Sequence, residues 1–430
     1  MSHNVFILGS DERNLAQVRA LPQAEGCRFH VLAEYQEVRG GEVFPAMRVL
    51  EQARRVLDDW EGSIDGVLGW FDFPVSTLLP ILRREYDLPG ADLASVLRCE
   101  HKYWSRLEQS RCIGEHVPAF EAFDPDDPDP RAGLTLPYPF WVKPVKSVSS
   151  YLGFEVRDDE ELAEVLATMR AKIHTVAEAF DAILRFADLP PEVAELGGRT
   201  CIAEAMISRG RQCTLEGYVH RGRTTVYGIV DSIREGARGS SFARYQYPST
   251  LPEHVQRRMI DATERFLTRV GYDGSPFNAE FYWDEQHDTL KLLEVNTRIS
   301  KSHGPLFDMV DGRSHHAVNL ELALGREPRP PQRAGRHPVA AKFFVREHED
   351  GVVTRVPSEA DLARLHERVP QARVQVHVEE GMRLSELLHQ DSYSYALAVI
   401  HLGAESEEAL LRAYRTCLNE LGLEVRKDER

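Results

Sequence analysis

Residues 277–298, FNAEFYWDEQHDTLKLLEVNTR, constrain this chain more than any other stretch. The polar run Asp284-Glu285-Gln286-His287-Asp288 separates two flanks that alternate with period 2, the signature of a β-hairpin. Centring the turn near position 287 sets the register. Glu280 falls opposite Glu294, Asn278 opposite Asn296 and Phe281 opposite Leu293. Phe277, Phe281, Trp283, Leu293 and Val295 then form an apolar face, and the two glutamates and two asparagines form the other. Like charges placed directly opposite each other in an antiparallel pair are destabilising. Two such carboxylates beside an apolar layer call for a cation between them. Hard oxygen ligands from Glu280, Glu294 and Asn296 suit Mg²⁺, which keeps its other positions for water and substrate phosphates. The plainer alternative is a surface hairpin whose glutamates point at water.

The rest of the chain limits what such a hairpin can serve. With 430 residues there is room for two or three domains. The 52 Lys and Arg against 68 Asp and Glu give a net charge of −16. That excess argues against a general nucleic-acid or anionic-membrane surface, though not against a local basic pocket. No stretch approaches the roughly 18 unbroken apolar residues of a membrane span. The N-terminus, MSHNVFILGSDERN, lacks a basic n-region and reads as a first strand, so a cytoplasmic chain is expected. The six cysteines show no metal-ligand spacing and read as reduced thiols.

Strand patterns at 4–9, 27–35 and 64–70 alternate with helical patterns after residue 11, at 46–60 and at 74–88. This predicts a parallel α/β domain over 1–94. A single helical pattern at 92–110 carries Lys102 in its middle, and 124–139 is a Pro/Asp loop. A strand, a small-residue turn and a second strand follow, then helices over 158–187. Strands around 200–233, a helix at 252–270 and a loop-like 299–312 complete a second domain, 95–330. The remainder, 331–430, reads as a mixed α+β module. The expected fold class is therefore α/β and α+β multidomain.

Two further places carry candidate chemistry. Lys143 ends the strand PFWVK and precedes Ser147, Ser149, Ser150 and Gly153. A strand-ending lysine beside a loop of free N–H groups suits a polyphosphate, and an ordinary hairpin is the alternative. Glu204 and the following Met206 and Ile207 end another strand, where a carboxylate beside apolar residues suits an adenine amine and ring. Arg298, two residues beyond Asn296 on the same face, suits a transferring phosphoryl group or a carboxylate.

Taken in order, Lys102, K-P-x-x-S-x-S-S-x-x-G, E-x-x-I, N-x-E and E-V-N-T-R resemble the ATP-grasp superfamily over roughly residues 95–326. The flanks resemble those of biotin carboxylase-like members and L-amino acid ligases. The resemblance implies a lid at about 141–206 and ATP phosphates held by Lys102 and Lys143 under a flap at 147–150. It implies adenine held by Glu204, Met206 and Ile207, and ribose touched by Gln212 or Glu216. Two Mg²⁺ ions would lie on Glu280, Glu294 and Asn296, and Arg298 would stabilise the phosphoryl group. The implied reaction is ADP-forming ligation of a small carboxylate, such as an amino acid, to an amine through an acyl phosphate. Relatives of this kind are often homodimers.

Departures from the family narrow this. The flap VKSVSS is not the polyglycine run of biotin carboxylases, and Ser302 stands where those enzymes carry a glutamate base. PVAAKFFV lacks their arginine, and no biotin-attachment M-K-M occurs. A biotin carboxylase-like carboxylase, or another ATP-grasp phosphotransfer enzyme, is therefore the second choice. Lys301 and His303 lie where a second substrate would enter, to bind an acid or accept a proton. A solvated loop is the alternative for both. His315 and His316 read as structural, and His220, Arg221 and Arg223 as solvated.

Overall fold

The computed structural model describes residues 2–40, 43–148, 151–207, 210–235, 241–329, 333–387 and 394–427. Strands β1 (His3–Ser10), β2 (Cys27–Glu34) and β3 (Gly66–Leu68) pair in parallel in the order β2-β1-β3. Val5, Phe6, Ile7 and Leu8 are fully buried, as expected of a parallel strand covered on both faces. Asp11 then caps the helix Glu12–Arg19 through the Asn14 N–H.

The helical pattern at 92–110 is broken in two, Leu93–Glu100 and Lys102–Ile113, at an extended His101. The His101 ring accepts from the Trp104 N–H and so acts as the N-cap of the second helix. Lys102 therefore begins a helix and does not lie mid-helix. Its own N–H donates to the Val145 carbonyl, 2.8 Å away, tying that start to the small-residue turn.

Strands β4 (Phe120–Phe123), β5 (Phe140–Pro144), β6 (Phe154–Val156) and β7 (Cys201–Ala205) form an antiparallel sheet, order β4-β7-β5-β6. It is backed by the helices Asp159–Lys172 and His174–Leu184, whose Leu162, Leu166, Met169 and Ala177 pack against Phe140 and Val142. This sheet begins at Phe120, earlier than the expected lid boundary at 141.

The remaining strands are β8 (Arg211–His220), β9 (Arg223–Glu235), β10 (Ser241–Tyr247), β11 (Ser275–Asp284), β12 (Thr289–Asn296), β13 (Val339–Glu347), β14 (Gly351–Arg355), β15 (Arg373–Val376), β16 (Tyr395–Ala404) and β17 (Glu424–Lys427). Eight of them make one sheet, β12-β11-β8-β9-β10-β13-β16-β15, while β14 pairs with β17. The C-terminal strands thus extend the central sheet, so residue 331 marks no sheet boundary. The amphipathic helix Glu253–Val270 covers this sheet with Val255, Met259, Ala262, Phe266 and Val270. It ends at Gly271, whose φ of 71° is the left-handed C-terminal turn.

The β11–β12 hairpin keeps the expected register at its functional end: Asn278 faces Asn296 and Glu280 faces Glu294. A bulge between Glu280 and Phe281 then shifts the pairing, so Phe281 faces Leu292, not Leu293. Leu290 and Leu292 are buried beside Phe281 and Trp283, and Leu293 is the displaced residue. The bulge lets even-numbered leucines and odd-numbered Val295 share one core while both glutamates stay on the opposite face. The segment after Arg298, expected as loop, forms the helix Gly304–Asp311. Among the described residues no helix is long and apolar enough to cross a membrane.

Candidate active site

The hairpin brings Glu280, Glu294 and Asn296 together. The Asn296 amide nitrogen lies 3.5 Å from Glu280 Oε1 and 3.4 Å from Glu294 Oε1, and donates to Asn278 Oδ1 at 3.0 Å. Both carboxylates therefore converge on one point. Burial, and then the facing charge of Glu294, push the Glu280 pKa up to about 7. Partial desolvation opposes ionisation of Glu294, but Lys102 and Lys143 outweigh it and hold its pKa below the usual value. Lys102 Nζ is 3.6 Å from Glu294 Oε2. Among the described residues no group of three or more His, Cys, Asp and Glu side chains forms a closed metal cage. Two carboxylates are open oxygen donors that suit Mg²⁺, whose remaining positions go to water and phosphates, and Asn296, whose nitrogen faces them here, joins the set with its amide turned so that Oδ1 meets the ion. Their mutual repulsion is what a divalent cation would relieve, so the residues fit the ion.

A pH dependence follows. A protonated Glu280 must lose its proton to become a metal ligand. Mg²⁺ affinity is expected to fall about tenfold per pH unit below about pH 7 and to level off above it. Calorimetric titration of Mg²⁺ with a non-hydrolysable ATP analogue, in buffers of different ionisation enthalpy, would count the released proton. A pH-independent affinity between pH 5.5 and 7 would remove Glu280 from the site.

The sheet β4-β7-β5-β6, where the lid is expected, contributes a second cluster. Glu204, almost fully buried on β7, is held between Arg106 Nε and Lys143 Nζ, each at 2.5 Å. Burial would raise its pKa, but the two cations hold it at about 2. Arg106 also donates to the carbonyls of Leu292 and Leu293, which joins this sheet to the hairpin. Ser147 is buried in the turn, whereas Ser149 and Ser150 lie outside the described residues. Met206 and Ile207 follow β7, half-buried, beyond its last paired residue Ala205.

Gln212 and Glu216, expected as ribose contacts, lie on the central sheet and have protein partners. The Gln212 amide donates to Glu280 Oε2 at 3.0 Å, and its oxygen accepts from Arg234 and Tyr282 at 2.9 Å. It buttresses Glu280. Glu216 is fully buried and accepts from His303 Nδ1 at 2.8 Å and from the Ser300 N–H at 3.4 Å. It braces the 300–303 loop. Both are strand neighbours of β11, which puts their polar atoms inside the sheet.

Arg298 lies at the junction with the N-terminal domain, where Asp72 meets it at 3.0 Å. Asp72 also faces Lys146 at 3.4 Å, and Lys146 Nζ is 2.7 Å from Glu100. Burial alone would raise the Asp72 pKa, but Lys146 and Arg298 hold it well below the usual range. Asp72, Glu100, Arg106 and Lys146 were not singled out from the sequence. Asp72 follows β3, and ligand-facing groups of parallel sheets sit beyond the carboxyl ends of strands, so that signal was present.

A cavity of about 290 Å³ opens beside Arg298, lined by Tyr35, Phe71, Asp72, Tyr245, Lys301 and His303 among others. Tyr35 and Phe71 stack with ring centroids 4.1 Å apart. The Lys301 ammonium sits 3.6 Å from the Phe71 centroid and 5.1 Å from that of Tyr35. Burial lowers the Lys301 pKa to about 8. The site thus joins Lys102, Lys143, Glu280, Glu294, Asn296 and Arg298 to a cavity bearing Lys301 and His303. His315, fully buried behind Glu216, and His316 remain neutral because burial lowers their pKa values.

Comparison with known proteins agrees with this architecture. Residues 246–329 match the family described as carbamoyl-phosphate synthase L chain, ATP binding domain. An L-amino acid ligase from Bacillus licheniformis superposes with a TM-score of 0.72 at 18% identity, over 100% of this chain and 99% of that one. A biotin carboxylase from Campylobacter jejuni gives 0.65 at 13%, over 99% and 93%. A carboxyaminoimidazole ribonucleotide synthase from Aspergillus clavatus gives 0.65 at 14%, over 98% of each chain. No curated protein matches by sequence. The chain has the fold of the ATP-grasp superfamily.

Proposed function

We propose that this chain is an ATP- and Mg²⁺-dependent carboxylate–amine ligase that forms an amide through an acyl phosphate and releases ADP and phosphate. The convergence of Glu280 and Glu294 on Asn296, at the mouth of a cavity bearing Arg298, carries the reading. A carboxylate oxygen attacking the γ-phosphorus of ATP brings two anions together. Lys102 and Lys143 are the cations placed to hold the phosphates, and Arg298 faces the transferring group. Glu280, Glu294 and Asn296 would hold Mg²⁺, which would supply further positive charge against the phosphates. The bond from phosphorus to ADP breaks as the acyl phosphate forms. The lid, tied to the hairpin through Arg106, shields that product from water. The amine nitrogen then attacks the acyl carbon, phosphate leaves, and Lys301 or His303 accepts the amine's proton.

A cavity of about 290 Å³ with aromatic walls has room for an organic substrate beside the metal site. The whole-chain likeness to an L-amino acid ligase is in keeping with an amino acid as the acid or the amine. The test is phosphate release with ATP, Mg²⁺ and arrays of acids and amines. Release that needs one acid and one amine together supports ligation. Release driven by bicarbonate alone would replace it with carboxylation, and no release from any mixture would leave only a nucleotide-binding protein.

The lid reading makes its own prediction. Lys143→Ala removes one charged phosphate contact while Arg106 still neutralises Glu204. Charge-assisted contacts contribute about 1.5–3 kcal/mol, so ATP affinity should weaken about 10- to 100-fold. Titration with a fluorescent ATP analogue reads this directly, and an unchanged affinity would place the phosphates elsewhere.

A further inference from the structure

The C-terminal strands carry a row of basic side chains that the ligase chemistry above does not use. Strand register places Tyr245, Lys342, His401 and Arg373 in line across β10, β13, β16 and β15. Directly paired residues of antiparallel strands project to the same face. Arg13, from the helix after β1, lies over this face and donates to Gln375, two residues along from Arg373. His377 is the next residue of that alternation. Lys342 Nζ is 5.7 Å from the Tyr245 ring, and Tyr245 and Lys301 both line the cavity. The row therefore adjoins the entrance for a second substrate.

Few acids face these groups. Asp308 pairs with Arg373 at 2.8 Å, and Asp11 is engaged as a helix cap and by the Trp70 indole. Lys342 makes no ion pair among the described residues. His401 is 1% exposed, yet its Nδ1 has no hydrogen-bond partner there. A buried polar atom without a partner costs about 1–3 kcal/mol unless a ligand or water satisfies it. The Arg13 guanidinium and the Lys342 amine lie on the same face with no carboxylate paired to either among the described residues, which suits an anionic ligand. Consistently, burial and the neighbouring Arg13, Lys301 and Arg346 lower the Lys342 pKa to about 7.

We propose that Lys342, His401, Arg373 and Arg13 form a subsite for an oxyanion, a carboxylate or a phosphate, carried by the substrate whose reactive end enters past Tyr245 and Lys301. This rests on the ligase reading and narrows it: one of the two substrates bears an anionic group that takes no part in the chemistry. Two unequal sources share this chemistry, a dicarboxylate and a phosphate ester, and the probes separate them.

Calorimetric titration of the full chain with inorganic phosphate, and separately with succinate, tests the subsite. One of the two anions should bind, and Lys342→Gln and Arg13→Gln should each weaken it at least tenfold. Lys342 has no ion-pair partner to lose, so its glutamine variant should fold, as circular dichroism would confirm. Absence of binding by both anions, or binding as in the unaltered chain in both variants, overturns the proposal. ADP formation is read separately. Anion binding at these residues with no ADP formation from any mixture keeps the subsite and removes the ligase. ADP formation without anion binding does the reverse.

Discussion

Replacing Glu294 by alanine is expected to lower ADP formation at least about 1,000-fold while the melting temperature moves by no more than a few degrees. The two halves of this prediction have separate causes. Glu294 is one of two carboxylates that converge on Asn296, and among the described residues no third acidic side chain joins them. Metal charge at a phosphoryl centre contributes several kcal/mol to the transition state, and about 4 kcal/mol corresponds to three powers of ten in rate. Stability has two opposed contributions. Loss of the carboxylate removes the partner of Lys102, 3.6 Å away. It also removes the charge that helps push Glu280 to a pKa of about 7. For Glu280, a folded pKa above the ordinary 4.5 means stability present below that pH and lost as pH rises towards 7. In the alanine variant this loss should shrink, so melting curves at pH 5 and pH 8 should differ less than in the unaltered chain. Full turnover in the variant would remove Glu294 from the metal site. An unfolded variant, by circular dichroism, would make the residue structural.

The legible part of this site was the part encoded locally. Glu280 and Glu294 could be paired from the sequence because one short turn joins them and strand alternation fixes which side chains meet. The bulge at Leu292–Leu293 left a trace in the double leucine, but alternation read through it. The break at His101 was hidden for another reason. The cap is an imidazole accepting from Trp104, and His has no strong composition preference at that position. The first strand of the sheet β4-β7-β5-β6, Phe120–Phe123, is four residues long, too short to signal by periodicity. The contacts that assemble the site across domains, Asp72 to Arg298, Lys146 to Glu100 and Arg106 to Glu204, span chain separations no local pattern records. The protein partners of Gln212 and Glu216, Glu280 and His303, are likewise set by burial on a central strand and left no local trace. The joining of β13, β16 and β15 to the central sheet is also nonlocal, and with it the row of basic side chains beside the cavity.

Arg298→Ala should lower acyl-phosphate formation about 1,000-fold with little change in ATP affinity, and Arg298→Lys should recover no more than about tenfold of that loss. Arginines that stabilise a transferring phosphoryl group contribute about 10³–10⁵ in rate. Arg298 is on the cavity side of the site, with Tyr35, Phe71 and Lys301, whereas Lys143 belongs to the cluster around Glu204. The two positions should therefore separate kinetically, one acting on chemistry and the other on nucleotide binding. The guanidinium spends one edge on Asp72, at 3.0 Å, and donates to the Ile299 carbonyl from its other terminal nitrogen at 3.4 Å. A planar fork can hold such anchors and still present N–H groups to an incoming oxyanion, while a lysine ammonium is a single point charge that would be drawn to Asp72. The fold should survive either change, because Asp72 keeps Lys146 as a partner and stays ionised. Hydroxylamine trapping of the acyl phosphate in single-turnover experiments isolates the step from amide formation. Equal trapping in Arg298→Ala and the unaltered chain would exclude the arginine from phosphoryl transfer and leave it as a strut between the N-terminal domain and the hairpin.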